Sequence, residues 1–105
     1  NFILDALSKG AGGVLIQDGC VTNSNFRVSN VSLISVRNSI EALGNIARFH
    51  RQRFNLPLIA ITGSNGKTTT KEMTAAILSR RFNTLKNFGT ENNEIGVPLT
   101  LMRLK

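Results

Sequence analysis

The segment Thr62–Thr69 combines the residue types that bind phosphate, in the order that such binding requires. Glycines let the backbone bend so that its N–H groups point at phosphate oxygens, and a following helix adds further donors and its positive dipole end. Lys67 can neutralise the β- and γ-phosphates of ATP, and the Thr68 hydroxyl can coordinate Mg²⁺. We therefore predict that Lys67 is catalytic and that Thr68 is the metal ligand. The predicted phosphate-binding residues are Gly63, Ser64, Asn65, Gly66, Lys67, Thr68 and Thr69.

This segment departs from the general phosphate-loop pattern, Gly-x-x-x-x-Gly-Lys-Ser/Thr, at its first glycine. Ile61 occupies that position, which leaves only Gly63 and Gly66 to shape the bend. The apolar run Leu58–Ile61 precedes the bend as a predicted buried strand, and a helix is predicted to begin at Lys67. This context favours phosphate binding, and the alternative is a glycine turn with a purely structural role.

The elements around the loop alternate between helix and strand patterns, which predicts an α/β fold. Asn38 or Ser39 is expected to cap the helix that precedes the loop, and Asp18–Asn25 is a predicted loop. The predicted order is a helix at Phe2–Leu7, strands at Gly13–Ile16 and Val31–Val36, a helix at Ser39–Arg53, a strand at Leu58–Ile61, a helix at Lys67–Phe82, a short strand at Thr84–Leu85 and a last helix from Pro98.

Three side-chain environments follow from helical spacing. The helix after the loop has a short apolar face, formed by Met73, Ala76 and Ile77, which we expect to be buried. Glu72 on the same helix is expected to pair with a lysine or arginine rather than with a metal ion. His50 lies on a basic helix and is expected to face solvent rather than to act in catalysis.

Composition narrows the classes of partner. Thirteen Lys and Arg against six Asp and Glu give a net charge of +7, but the basic residues are dispersed and no aromatic residues are interleaved with them, which argues against nucleic-acid binding. The single cysteine, Cys20, predicts a reducing compartment. No apolar run approaches the ~20 residues that span a bilayer. We therefore predict a cytoplasmic protein without a membrane partner. Both ends of the 105-residue chain fall within predicted helices, so a fragment is expected.

Three segments resemble the Mur ligase family. Thr62–Met73 is similar to that family's ATP loop, which also lacks the first glycine of the general pattern. Asn92–Leu101 is similar to the segment that distinguishes the members acting on D-alanyl-D-alanine, and Ala47–Arg51 resembles the helix that precedes their loop. The resemblance is firm from about Ala42 to Leu104. Thr90-Glu91 departs from it, because an Asn followed by an apolar or aromatic residue is more usual there.

The resemblance implies a fold and a reaction. Residues 1–54 would be the C-terminal part of an N-terminal UDP-substrate-binding α/β domain, and residues 55–105 the start of a parallel-sheet P-loop ATPase domain. The reaction would be ATP-driven amide formation in peptidoglycan synthesis, between UDP-N-acetylmuramoyl-tripeptide and D-alanyl-D-alanine. The full-length enzyme would be a monomer, and this chain alone would be inactive. Asn92 and Asn93 would face the UDP-linked substrate; the alternative is an Asn-rich turn that holds its own backbone.

Two other functions remain open on the residues alone. A generic phosphate-loop NTPase or kinase would hydrolyse or transfer phosphate without any dependence on a UDP-linked peptide. A related Mur-like ligase, such as folylpolyglutamate synthase, shares the short loop, although its following segment is not recognised in Asn92–Leu101.

Overall fold

The computed structural model describes residues 2–20, 31–89 and 91–105 of the chain. These residues form a mixed α/β structure with a short parallel sheet, so the predicted α/β class is confirmed. The chain divides into two compact units, Asn1–Ala42 and Leu43–Lys105. Within the described ranges, every helix is too short or too polar to cross a membrane.

The first unit contains one helix and the two-stranded sheet. Helix α1 covers Phe2–Ser8, and Gly10, with a φ of 86°, turns the chain away from its end, as glycine does after many helices. Strands β1 (Gly13–Gln17) and β2 (Ser32–Val36) pair in parallel along their whole length. Both strands lie where their apolar runs predicted them. Positions 21–25 of the predicted loop lie outside the described residues.

Helix α2 covers Ser39–Gln52 and is capped by Asn38, one of the two predicted candidates. The Asn38 side-chain oxygen accepts hydrogen bonds from the backbone N–H groups of Ile40 at 3.0 Å and Glu41 at 3.1 Å. These N–H groups have no partner within the helix, so the side chain satisfies donors that would otherwise stay free. The start of α2 is therefore fixed by a local interaction.

The end of α2 is held by two of its own side chains, within the second unit. Arg51 donates to the carbonyl oxygens of Phe54 at 2.8 Å and Leu56 at 2.7 Å, which fixes the chain as it leaves the helix. His50 is half-buried, with Nε2 3.1 Å from the Leu104 carbonyl oxygen, to which it donates. Its ring also meets Phe54 edge to face. The expectation that His50 faces solvent is therefore wrong, because a segment remote in sequence covers it.

Two further helices lie in the second unit. Helix α3 covers Lys67–Leu78, so it begins at the predicted residue but ends before Phe82, and the chain continues in turns. Helix α4 covers Gly96–Leu101 and has Pro98 in its first turn, where the missing N–H of proline costs little.

Neither strand predicted in the second unit forms. The described residues at Leu58–Ile61 and Thr84–Leu85 have no strand pairing, and Leu58 and Ile59 are 58% and 60% exposed. A strand needs the N–H and C=O groups of a neighbouring strand, and the described part of this unit supplies none. The apolar run alone could not show this.

The buried side of α3 also differs from the prediction. Met73 and Ile77 are 61% and 68% exposed, and Ala76 is exposed too. The opposite side lines a cavity of ≈ 480 Å³ that it shares with segments 56–61 and 82–87. The α3 residues at this cavity are Lys71, Thr74, Ala75 and Leu78. Helical spacing marks more than one side of α3 as partly apolar, and the segments that pack against it determine which side is covered.

Candidate phosphate-binding site

The bend before α3 depends on two glycines with positive φ. Gly63 has a φ of 147° and Gly66 a φ of 76°, both in regions that residues with a β-carbon rarely adopt. Gly66 immediately precedes the first residue of α3, and no side chain caps that helix end. Since the first N–H groups of a helix lack intrahelical acceptors, those of α3 remain available to an anion.

The Lys67 side chain folds back over this bend. Its ammonium donates to the carbonyl oxygen of Gly63, and to that of Ser64 at 3.3 Å. Lys67 is half-buried, whereas the other residues of the predicted phosphate-binding set are exposed. The ammonium therefore lies at the bend and can exchange these carbonyl contacts for phosphate oxygens. The exposed residues of the set are Gly63, Ser64, Asn65, Gly66, Thr68 and Thr69.

Thr68 offers an oxygen ligand of the type that magnesium accepts. Thr68 lies in the first turn of α3 with its side chain exposed, and hydroxyl oxygens suit this hard cation. Within residues 2–20, 31–89 and 91–105, no group of three or more His, Cys, Asp or Glu side chains could hold a metal ion. Magnesium bound with nucleotides commonly takes one or two protein ligands, phosphate oxygens and water, so Thr68 fits that mode.

Glu72 forms the ion pairs that its helical position predicted. Its carboxylate accepts a hydrogen bond from Lys86 and lies 3.3 Å from the Lys71 ammonium. These contacts, with Lys86 first, lower the pKa of Glu72 from its ordinary value. Glu72 is therefore a carboxylate that joins α3 to the segment after it.

Lys71 was not among the predicted site residues. Its ammonium donates to the carbonyl oxygens of Asn87 at 2.9 Å and Gly89 at 3.3 Å. The available signal was its position four residues after Lys67, which places both lysines on neighbouring turns of one helix side. The acceptors are backbone groups of a distant segment, which no residue pattern identifies.

A second group of contacts holds the segment that leads into α4. The Asn87 amide donates to the Glu91 carbonyl oxygen at 2.8 Å and to the Thr100 hydroxyl at 3.2 Å. The Glu91 carboxylate accepts from Arg103 at 3.4 Å and from Thr100 at 3.5 Å. The Arg103 guanidinium also lies 5.1 Å from the centre of the Phe88 ring. These side chains fix both ends of the segment against α4.

The predicted substrate residues lie in the turn before α4. The Asn93 side-chain oxygen accepts from the backbone N–H groups of Ile95 at 3.2 Å and Gly96 at 2.7 Å. This is the contact expected of an Asn-rich turn. Asn92 is exposed. Contact of Asn92 and Asn93 with a substrate stays a prediction.

Comparison with known proteins gives consistent matches. Residues 61–105 match the Mur ligase middle domain. Over 103 residues, 98% of this chain, it is 45% identical to the UDP-N-acetylmuramoyl-tripeptide–D-alanyl-D-alanine ligase of Buchnera aphidicola subsp. Baizongia pistaciae. It is 42% identical to the ligase of that name from Escherichia coli and 44% identical to that from Synechocystis, each over 99% of this chain. No solved structure matches the chain significantly.

The chain spans only about a fifth of these relatives, 21% of the Buchnera protein and 22% of each of the other two. Within that span, the matched region contains the bend at Gly63–Gly66, the lysine that folds over it and the helix that follows. The predicted resemblance is confirmed, and this chain belongs to the Mur ligase family.

Proposed function

We propose that this chain provides the ATP-binding segment of an amide ligase that joins D-alanyl-D-alanine to UDP-N-acetylmuramoyl-tripeptide. The observation that carries the proposal is the phosphate loop, in which the Lys67 ammonium lies over the bend at the start of α3. The names of relatives that are 42–45% identical over nearly the whole chain support the choice of substrates.

The loop suits the first chemical step of such a ligase. A carboxylate is a poor electrophile, and transfer of the γ-phosphate of ATP to the tripeptide carboxylate would give an acyl phosphate. The D-alanyl-D-alanine amine would then attack this carbonyl and expel phosphate, forming the amide. Lys67 and the N–H groups at the start of α3 would stabilise the charge that develops on the transferred phosphoryl group.

The remaining roles follow from the same proposal. Mg²⁺, when bound, would offset the negative charge between the β- and γ-phosphates, and the Thr68 hydroxyl would be its ligand from this chain. Asn92 and Asn93 would meet the UDP-linked substrate. Residues 1–54 would belong to the UDP-substrate-binding domain and residues 55–105 to the ATPase domain of a monomeric cytoplasmic enzyme.

The proposal predicts a large effect of Lys67→Ala in the whole ligase. Loss of a single preorganised charge contact to a transition state lowers kcat by about 10²–10³-fold. The measurement is formation of the UDP-linked pentapeptide from ATP, UDP-tripeptide and D-alanyl-D-alanine. Lys9→Ala is the control, since Lys9 is exposed and, among the described residues, forms an ion pair with Asp5 in the first unit.

An undiminished rate in Lys67→Ala would remove the loop from the mechanism. The wild-type protein also separates this function from that of a generic NTPase. Phosphate release that needs both UDP-tripeptide and D-alanyl-D-alanine is expected of the ligase, whereas equal release without them would contradict the proposal.

A further inference from the structure

Lys71 holds a loop against the helix that starts at the phosphate site. Its side chain is only 19% exposed, and its ammonium is shared between the carbonyl oxygens of Asn87 and Gly89. Gly89 has a φ of 49°, a conformation that glycine adopts readily. One ammonium therefore binds two carbonyl oxygens of the same short segment. We name this segment, Lys86–Gly89, the docked loop.

A second contact joins the docked loop to α3. Lys86, at the start of the loop, donates to the Glu72 carboxylate, which also lies 3.3 Å from the Lys71 ammonium. Glu72 is thus bonded to the first residue of the loop, and Lys71 to carbonyls nearer its end. Since Glu72 is more exposed than Lys71, solvent weakens the carboxylate pair more. The hydrogen bonds from Lys71 to the loop carbonyls are therefore stronger than the ion pair between Lys86 and Glu72.

The position of Lys71 connects the two parts of the proposed site. It lies four residues after Lys67 on α3, a rise of ~6 Å along the helix. In the sequence, Glu91, Asn92 and Asn93 follow the docked loop after Thr90. The Asn87 amide in the loop donates to the Glu91 carbonyl oxygen at 2.8 Å. The charge-assisted hydrogen bonds of Lys71 and the neutral Asn87–Glu91 hydrogen bond therefore hold this segment on the helix that carries the phosphate loop.

We propose that Lys71 is a positioning residue for the UDP-linked substrate. Its ammonium holds the docked loop on α3, so that Asn92 and Asn93 are presented at a set distance from the phosphate loop. The inference rests on the proposed function for the identity of the substrate. The contact between Lys71 and the docked loop is independent of that function and can be measured separately.

The first measurement is hydrogen exchange in the ligand-free whole ligase. Lys71→Met keeps the length of the apolar stem but removes the donor, so backbone amides of the docked loop should exchange about tenfold faster, as loss of one hydrogen bond to a charged group predicts. Lys71→Arg keeps the charge and should restore most of the protection. Lys9→Met, at an exposed ion pair in the first unit, is the matched control and should leave the loop unchanged.

The second measurement is steady-state kinetics of the same variants. Lys71→Met should raise the KM for UDP-tripeptide by about tenfold and leave the KM for ATP within about twofold, because only the substrate segment is displaced. Lys71→Arg should return the KM for UDP-tripeptide towards the wild-type value. A role in stability alone would not produce this separation between substrates.

Two results would overturn the proposal. Unchanged exchange of the docked loop in Lys71→Met would mean that the ammonium does not hold it. An equal rise in the KM for ATP would make Lys71 part of the nucleotide site instead. If the wild-type ligase formed no product from UDP-tripeptide, the proposed function would fail. The exchange data would still show whether Lys71 holds the docked loop.

Discussion

A single side chain in this protein can bond to its own turn and also contact a substrate. Asn93 shows the difference, because its side-chain oxygen already accepts two backbone N–H groups in the turn before α4. The amide NH₂ group of Asn93 takes no part in these two hydrogen bonds. The two ends of one side chain can therefore serve the turn and a substrate separately, and substitutions that change one end at a time distinguish these roles.

We predict opposite outcomes for two substitutions of Asn93 in the whole ligase. Asn93→Ala should lower the free energy of unfolding by about 0.5–2 kcal/mol, as loss of a capping side chain does. Asn93→Asp keeps the acceptor oxygen and should preserve the thermal midpoint, but it should raise the KM for UDP-tripeptide because the donor is lost.

Asn45→Asp is the control, since Asn45 is exposed on α2 and the change in charge is the same. Calorimetry and steady-state kinetics measure the two effects. An unchanged KM in Asn93→Asp would leave Asn93 with the role of a turn residue only.

Helix α4 and the segment before it pack closely at one glycine. A β-carbon added to Gly96 would lie 2.7 Å from the Glu91 backbone, which is nearer than atoms in proteins approach each other without movement. Glu91 is itself held by Asn87, Thr100 and Arg103, so it cannot easily move away. The start of α4 therefore depends on the absence of a side chain at Gly96.

We predict that Gly96→Ala destabilises the protein by about 1–3 kcal/mol, the usual cost of overpacking. Gly44→Ala is the matched control. Gly44 lies inside α2 with no atom within 4 Å of an added β-carbon, so alanine there should stabilise the helix by up to ~1 kcal/mol. Thermal unfolding of both variants tests the contrast, and equal midpoints would contradict the close contact at Gly96.

The chain as a unit has little buried apolar surface. Among the described residues, the buried hydrophobic side chains are Ala47 and Ala75, and no large side chain is fully buried. Leu58, Ile59, Met73 and Ile77 are exposed, although their patterns are typical of a core. Since apolar burial is the main favourable term in folding, these 105 residues have few contacts with which to offset their conformational entropy.

We predict marginal stability for the isolated 105-residue chain. Differential scanning calorimetry should show a broad transition of low enthalpy. The whole ligase should unfold cooperatively in the same buffer, because its further chain would cover these apolar side chains. A sharp cooperative transition of the isolated chain above ~60 °C would contradict this prediction.

The residue pattern was sufficient to predict features that depend on residues nearby in the sequence. The bend at Gly63 and Gly66, the start of α3 at Lys67 and the cap at Asn38 are set by contacts within a few residues, so their chemistry can be read along the chain. A basic partner for Glu72 was also predicted, but its position was not, since Lys86 lies fourteen residues away and outside α3. Family membership followed because its loop residues are contiguous.

Packing set the features that depend on distant segments. The partial burial of His50 and the backbone acceptors of Lys71 depend on chain that lies at least sixteen residues away. The covered side of α3 depends on the segments before and after that helix. The run Leu58–Ile61 stays unpaired because a strand requires hydrogen-bond partners on a neighbouring strand, whatever its own residues favour. Periodicity identifies surfaces that can be buried, and only the segments that meet them determine which surfaces are.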